Sequence, residues 1–106
     1  MEVIGDWKGN TYYLDFDRIR KYDGYVYYWS LTDYLKPNKY GYLSGKIYWQ
    51  GDCKLVRGKP LTFSHYKDPM GEGTGETNSL QNAGWINHKP NTPSEKSLIS
   101  VCEKLK

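Results

Sequence analysis

Apolar and polar residues alternate through much of the first two-thirds of the chain with the period of two that a pleated strand requires. In residues 10–19, the run Thr11-Tyr12-Tyr13-Leu14-Asp15-Phe16 predicts a strand leading into a polar turn. Tyr12, Leu14 and Phe16 fall on one face, and Tyr13, Asp15 and Asp17 on the other. Asp23-Gly24 is a tight hairpin signal. It leads into residues 25–34 (YVYYWSLTDY), whose β-branched and aromatic density gives the clearest strand. Lys36-Pro37-Asn38-Lys39 turns the chain, a third strand runs from 42 to 53, and a fourth covers 60–67. In the fourth, Leu61, Phe63 and His65 oppose Thr62, Ser64 and Tyr66. Gly51 and Gly58 leave a bulge and a clean hairpin equally open between these two strands. Ahead of them all, Glu2-Val3-Ile4-Gly5 fits a short edge strand.

The pattern changes at residues 68–93, which are rich in Gly, Asn, Thr and Pro and have Trp85-Ile86 as their apolar anchor. So long a connection is uncommon in a compact domain. It is read as a surface wrap pinned to the sheet by Trp85, with a short edge strand near Thr74-Gly75-Glu76-Thr77. A helix follows. Thr92 as N-cap, Pro93 at the first position and Glu95 three residues after the cap form a capping box. Leu98, Val101, Cys102 and Leu105 share one stripe with Ile99 beside it, and Lys104 and Lys106 suit the negative end of the helix dipole. At this length the helix is marginal alone in water and needs tertiary anchorage.

Composition explains how such a chain builds an interior. Leu, Ile, Val and Phe make up under a fifth of the 106 residues, whereas eleven Tyr and four Trp are present. Each aromatic side chain buries roughly 150–250 Å² while its polar tip can stay wet. An ordered, tyrosine-lined single domain over residues 1–106 is therefore expected rather than disorder. The net charge of +3 comes from scattered Lys and Arg, with no run of like charges to mark a polyanion site. No apolar segment is long enough to span a membrane. Met1-Glu2-Val3-Ile4 lacks the basic and apolar regions of a signal peptide, so an exported chain would have lost its leader ahead of Met1.

The two cysteines bear on the compartment. Cys53 sits in the aromatic third strand and Cys102 on the apolar stripe of the terminal helix. A bond between them would staple helix to sheet and imply an oxidising compartment. The alternative is a cytoplasmic chain with two unpaired thiols, Cys102 being an ordinary buried one.

Little in the sequence looks catalytic. Asp15 and Asp17 share a predicted strand face, but nothing builds the pocket that would push two carboxyl pKa values apart. Met70-Gly71-Glu72-Gly73-Thr74-Gly75 imitates a phosphate loop but opens no helix, and Glu72 would repel a phosphate, so it is read as a turn. His65 and His88 have no metal-site spacing to the cysteines. No enzyme, cofactor or metal is expected. Tyrosines near Lys36, Lys39, Lys46, Arg57 and Lys59 raise single-stranded nucleic acid as a ligand. Neither the charge excess nor an RNP-type motif supports that choice. Tyrosine also suits protein interfaces, offering a large contact with few rotatable bonds.

Several segments together resemble the surface-adhesin protein E family of bacterial extracytoplasmic domains. Near the start, Gly9 leads Tyr12-Tyr13-Leu14-Asp15-Phe16-Asp17 and Ile19. Gly24-Tyr25-Val26 then leads to Trp29, Leu31 and Asp33-Tyr34, followed by Asp52-Cys53. Ser64, Tyr66, Pro69-Met70-Gly71, Gly73 and Trp85 come next, and a helix from Pro93-Ser94 to Val101-Cys102 completes the set. The resemblance implies an α+β fold, an antiparallel sheet of about six strands with a C-terminal helix packed on one face and stapled by a Cys53–Cys102 disulfide. It further implies an exported, extracytoplasmic domain, often a homodimer or a module of an envelope protein. The founding member of that family binds extracellular-matrix and serum proteins of a host. The expected function is accordingly non-enzymatic, adhesin-like protein binding, with a structural or oligomerisation role as the alternative and nucleic-acid binding third. Candidate contact residues are Tyr13, Tyr40, Tyr42, Arg57 and Lys59.

Overall fold

The computed structural model describes all residues, Met1–Lys106. Eight strands form one antiparallel sheet: β1 (Glu2–Trp7), β2 (Asn10–Leu14), β3 (Arg20–Tyr22), β4 (Tyr25–Asp33), β5 (Ser44–Asp52), β6 (Arg57–Tyr66), β7 (Gly75–Ser79) and β8 (Ile86–Asn87). Six of them run in the order β1-β2-β4-β5-β6-β7, while β3 pairs with β4 and β8 pairs with β6. The two strands beyond the expected six are these short additions. A single helix, α1 (Pro93–Lys104), packs on one face.

Where sequence and structure differ, local hydrogen bonding is the cause. The first predicted strand ends at Leu14 rather than Ile19. Asp15 turns the chain into a short 3-10 helix, Phe16–Arg18, its Oδ1 accepting the Asp17 N–H at 3.1 Å and its Oδ2 meeting Arg18 Nε at 3.2 Å. Asp15 is thus buried and engaged while Asp17 is exposed, so they do not share a strand face. The turn after β5 begins earlier than the pattern suggested, because Asp52 caps it. Asp52 Oδ1 accepts the N–H groups of Lys54 and Leu55 at 3.0 and 3.3 Å, and Oδ2 accepts from Arg57 Nε at 3.1 Å. Cys53 therefore lies in this turn, not within the strand. β6 starts at Arg57, so Gly51 and Gly58 pair across the ladder, and the register shift falls further along, between Tyr48 and Trp49. The Asp23-Gly24 hairpin forms as expected, both residues at positive φ between Tyr22 and Tyr25.

The core lies between α1 and the sheet. Ile4, Leu14, Val26, Tyr28, Trp49, Leu98 and Val101 form it, with Tyr12, Phe16, Ile47, Cys102 and Leu105 packed around them. Trp49 is satisfied there by donating from Nε1 to Ser30 Oγ at 2.9 Å. The Tyr28 hydroxyl is pushed well above its ordinary pKa by burial. The helix starts as the sequence predicts: Thr92 Oγ1 accepts the Glu95 N–H at 3.3 Å. Glu95 reaches back one residue further than a standard capping box, to the Asn91 N–H at 3.1 Å. Ile99 faces outward, 41% exposed, whereas Leu98 and Val101 are fully buried.

Two features seat the helix. Cys53 and Cys102 form a disulfide that joins the last turn of α1 to the β5–β6 turn, with Cα atoms 6.0 Å apart and a sequence separation of 49. Beside it, Gly51 leaves room for Leu98. A Cβ at Gly51 would stand 2.5 Å from Leu98 Cδ1, 2.9 Å from Val26 Cγ2 and 3.2 Å from Tyr28 Cε1.

Three outcomes follow for stability, each readable by urea denaturation. Removing the crosslink with Cys53→Ser and Cys102→Ser lowers stability by about 4 kcal/mol in the chain-entropy model. Gly51→Ala lowers it by about 2–3 kcal/mol, because the overpacked methyl lifts α1 off the sheet. Burial pushes the Asp52 carboxyl up, but the Leu55 N–H, the Arg57 side chain and the Lys54 N–H outweigh it and hold it below the usual value. A depressed folded-state pKa means stabilisation that is present above the unfolded carboxyl's pKa and lost as pH falls through the lower folded value. Asp52→Asn therefore costs about 1–2 kcal/mol near neutral pH. The gap from the unsubstituted protein closes in acid.

Candidate functional site: an aromatic and basic sheet face

With α1 on one side, the other face of the central strands is left without a covering helix. Strand alternation puts Val26 and Tyr28 against α1 and sends Tyr25, Tyr27 and Trp29 to the helix-free side. Their neighbours extend the aromatic row across strands. Tyr48 of β5 packs on Trp29 with ring centroids 4.9 Å apart and on Tyr27 at 6.3 Å. Trp85, just before β8, packs on Tyr25 at 5.3 Å. Trp85 thus anchors the long connection to the sheet, as its isolation in a polar segment predicted.

Cations border these rings. Arg57 and Lys59 lie over Trp85, at 4.4 and 4.9 Å from a ring centroid, in cation–π contact. On the opposite side, Arg20 of β3 donates from Nη2 to the Tyr48 hydroxyl at 3.0 Å. That hydrogen bond, with the proximity of Tyr48, raises the pKa of the exposed Arg20 guanidinium. The Tyr27 hydroxyl is pushed up first by burial and then by neighbouring Tyr48. Arg20, Lys21, Tyr22, Tyr27 and Tyr48 line an open cleft of about 500 Å³. Tyr22 is 72% exposed at its rim.

The far end of this face is closed by a loop. Leu31, which shares the alternation of Tyr27 and Trp29, is buried beneath the 3-10 turn Pro69–Gly71. Asp33 Oδ1 accepts the Met70 N–H at 2.7 Å, and the buried Ser44 hydroxyl accepts from Gly71 N–H at 2.8 Å while donating to the Asp68 carbonyl at 2.7 Å. The glycine-rich run that imitates a phosphate loop therefore spends its first amides on the sheet, as a turn.

The five candidate residues do not converge. Arg57 and Lys59 stand together at Trp85. Tyr13, paired with Leu31, is half-buried on the same face but on the β2 side. Tyr40 and Tyr42 belong to the β4–β5 connection, where Asn38 Oδ1 accepts both their N–H groups at 3.0 Å. There Tyr42 stacks on His65 at 5.0 Å beneath the Lys67 ammonium. Sequence reasoning missed Arg20, Tyr22, Tyr27, Tyr48 and Trp85 as one cluster. The Asp23-Gly24 hairpin was the available signal, since it sets Arg20 opposite Tyr27 and Tyr22 opposite Tyr25.

The histidines serve packing on the other side. His88 meets the edge of Trp49 at 5.5 Å, and burial holds its pKa below the ordinary value against the opposing pull of Glu95. His65 lies between Phe63 and Tyr42. No group of three or more His, Cys, Asp or Glu side chains is arranged to hold a metal ion, and no helix is long and apolar enough to cross a membrane.

The fold is that of two solved structures of Haemophilus influenzae protein E. One, crystal form II, matches with a TM-score of 0.69 at 17% identity, covering 88% of this chain and 80% of that one. The other matches with a TM-score of 0.69 at 15% identity, covering 98% and 91% respectively. No curated protein sequence matches this chain. The family model of surface-adhesin protein E matches residues 1–103. With nearly every residue inside that match, and with the sheet, helix and crosslink in place, this chain belongs to the surface-adhesin protein E family.

Proposed function

We propose that this chain is a non-enzymatic binding domain that recognises protein partners with the helix-free face of its sheet. It works outside the cytoplasm: the chain belongs to a family of surface adhesins, and it carries a disulfide of the kind that persists in oxidising compartments. The observation that carries the reading is the aromatic row Trp85, Tyr25, Tyr27, Tyr48 and Trp29. Its rings are neither fully buried nor covered by a helix, although the chain is short of aliphatic core residues. Rings needed only for packing would be expected under α1, as Tyr28 and Trp49 are. Large, stiff, amphipathic side chains bordered by arginine are the usual energetic centre of a protein interface. Arg57 and Lys59 belong to this surface. Tyr40 and Tyr42 lie on a separate loop and contribute only if the partner is large.

A second reading, assembly with another copy, rests on the sheet edges. Outside their ladders with β2 and β6, the outer backbone groups of β1 and β7 meet no further strand, and every residue of β7 is exposed. Sedimentation velocity over a wide concentration range separates the readings, since a concentration-independent monomer removes assembly.

For partner binding, the test is the double variant Tyr27→Ala, Tyr48→Ala against immobilised extracellular-matrix and serum proteins by surface plasmon resonance. Affinity for any protein that binds the unsubstituted domain should fall by about tenfold or more, as for interface hot spots. Circular dichroism should show the sheet intact. Unchanged affinity in a folded variant would eliminate the aromatic face as the contact surface.

A further inference from the structure

The chemistry of the same face also bears on what kind of partner it takes, an inference that rests on the binding role just described. Pairing across the sheet sets Arg20 opposite Tyr27, Tyr27 opposite Gln50, and Gln50 opposite Lys59. These four residues form one row perpendicular to the strands, with a cation at each end and a tyrosine and an amide between. Three strand intervals of about 4.8 Å put the two cationic positions about 14 Å apart.

Most acidic groups nearby are already engaged; the exception is Asp23 in the β3–β4 turn, which is exposed and close enough to Tyr27 to help raise its pKa. Asp15 is paired with Arg18, Asp52 with Arg57, and Asp33 accepts the Met70 N–H. No carboxylate lines the cleft formed by Arg20, Lys21, Tyr22, Tyr27 and Tyr48. The Arg20 side chain is steadied by Tyr48 through one hydrogen bond. A guanidinium has five N–H donors, so most of its fork remains free for a carboxylate. At the other end, Lys59 lies over Trp85 rather than in an ion pair.

We propose that the row Arg20–Tyr27–Gln50–Lys59 is a docking track for an acidic, extended segment of a partner protein, lying across the strands. Carboxylates four residues apart in an extended peptide are separated by about 14 Å, which matches the spacing of the two backbone positions that carry the cations. The intervening residues of the segment lie on Tyr27, Tyr48 and Gln50. In a helical segment four residues advance only about 6 Å, so carboxylates at that spacing would not span both cations.

Fluorescence anisotropy with the whole domain tests this, using a labelled peptide of sequence Glu-Glu-Gly-Tyr-Gly-Glu-Glu. Binding should weaken as NaCl rises from about 50 to about 300 mM, because the contacts are exposed ion pairs. The glutamine analogue of the peptide should bind about tenfold more weakly or worse, and the lysine analogue not at all. Arg20→Gln with Lys59→Gln should cost the acidic peptide about tenfold. Lys8→Gln with Lys104→Gln, which keeps the same net charge away from the track, should leave it unchanged. Equal losses from both pairs would reduce the effect to net charge and overturn the track. So would tighter binding of the lysine peptide, or binding of heparin or oligothymidylate through Arg20 and Lys59 with none of the acidic peptide. If the acidic peptide fails while a protein partner still depends on Tyr27 and Tyr48, the acidic preference falls and the aromatic binding face stands. If the peptide binds through Arg20 and Lys59 while protein partners ignore Tyr27 and Tyr48, the track stands and the wider face is wrong.

Discussion

Seating α1 against β1 and β4, with Leu98 over Gly51 of β5, is the constraint on which the rest of the molecule depends. Leu98 and Val101 are fully buried; Gly51 has no side chain under Leu98, and the last helical turn is tied to the β5–β6 turn. Each aliphatic side chain so buried contributes roughly 2 kcal/mol. That is a large share in a domain with so few aliphatic residues, and a twelve-residue helix has little stability alone. The crosslink acts where the noncovalent interior is thinnest. Asp52 supports it by shaping the turn that presents Cys53.

Assigning the helix to one face determines what the other face can be. An antiparallel sheet needs only one face against the core and can leave the other wet. Here the alternation of β4 divides its aromatic residues, with Tyr28 in the core and Tyr25, Tyr27 and Trp29 on the far side. The far side is not bare along its whole length. The Pro69–Gly71 turn shields Leu31 and Trp85 shields Tyr25, which confines the accessible rings and cations to the β3–β6 stretch. The same connection, read from the sequence as a surface wrap pinned by Trp85, thus sets the boundaries of the candidate contact surface.

The crosslink also joins stability to compartment. A domain crosslinked by a disulfide is suited to a place where thiols oxidise, which agrees with its membership in a family of surface adhesins. Low identity to the two protein E structures at a TM-score of 0.69 means that the architecture is shared while most surface residues are not. Partner choice therefore has to be argued from this chain's own side chains.

Much of the fold was legible because it follows from local rules. Period-two alternation gave β2, β4, β5 and β6, Asp23-Gly24 gave a hairpin, and Thr92-Pro93-Ser94-Glu95 gave the start of α1. The strand ends were not legible at Leu14 and Asp52, because there an aspartate side chain competes with the ladder for backbone N–H groups. Nor could alternation say whether the face of Tyr25, Tyr27 and Trp29 or that of Val26 and Tyr28 would meet the helix. That was decided by Gly51, whose missing side chain leaves space on one face, and by the Cys53–Cys102 bond, which selects that side. The cluster of Arg20, Tyr27, Tyr48 and Lys59 likewise exists only through pairing across four strands. The sequence by itself determined six of the eight strands, the terminal helix and their order, since these depend on neighbours a few residues apart. Only the tertiary structure decided which rings are core and which are surface, because that depends on contacts between residues far apart in the chain.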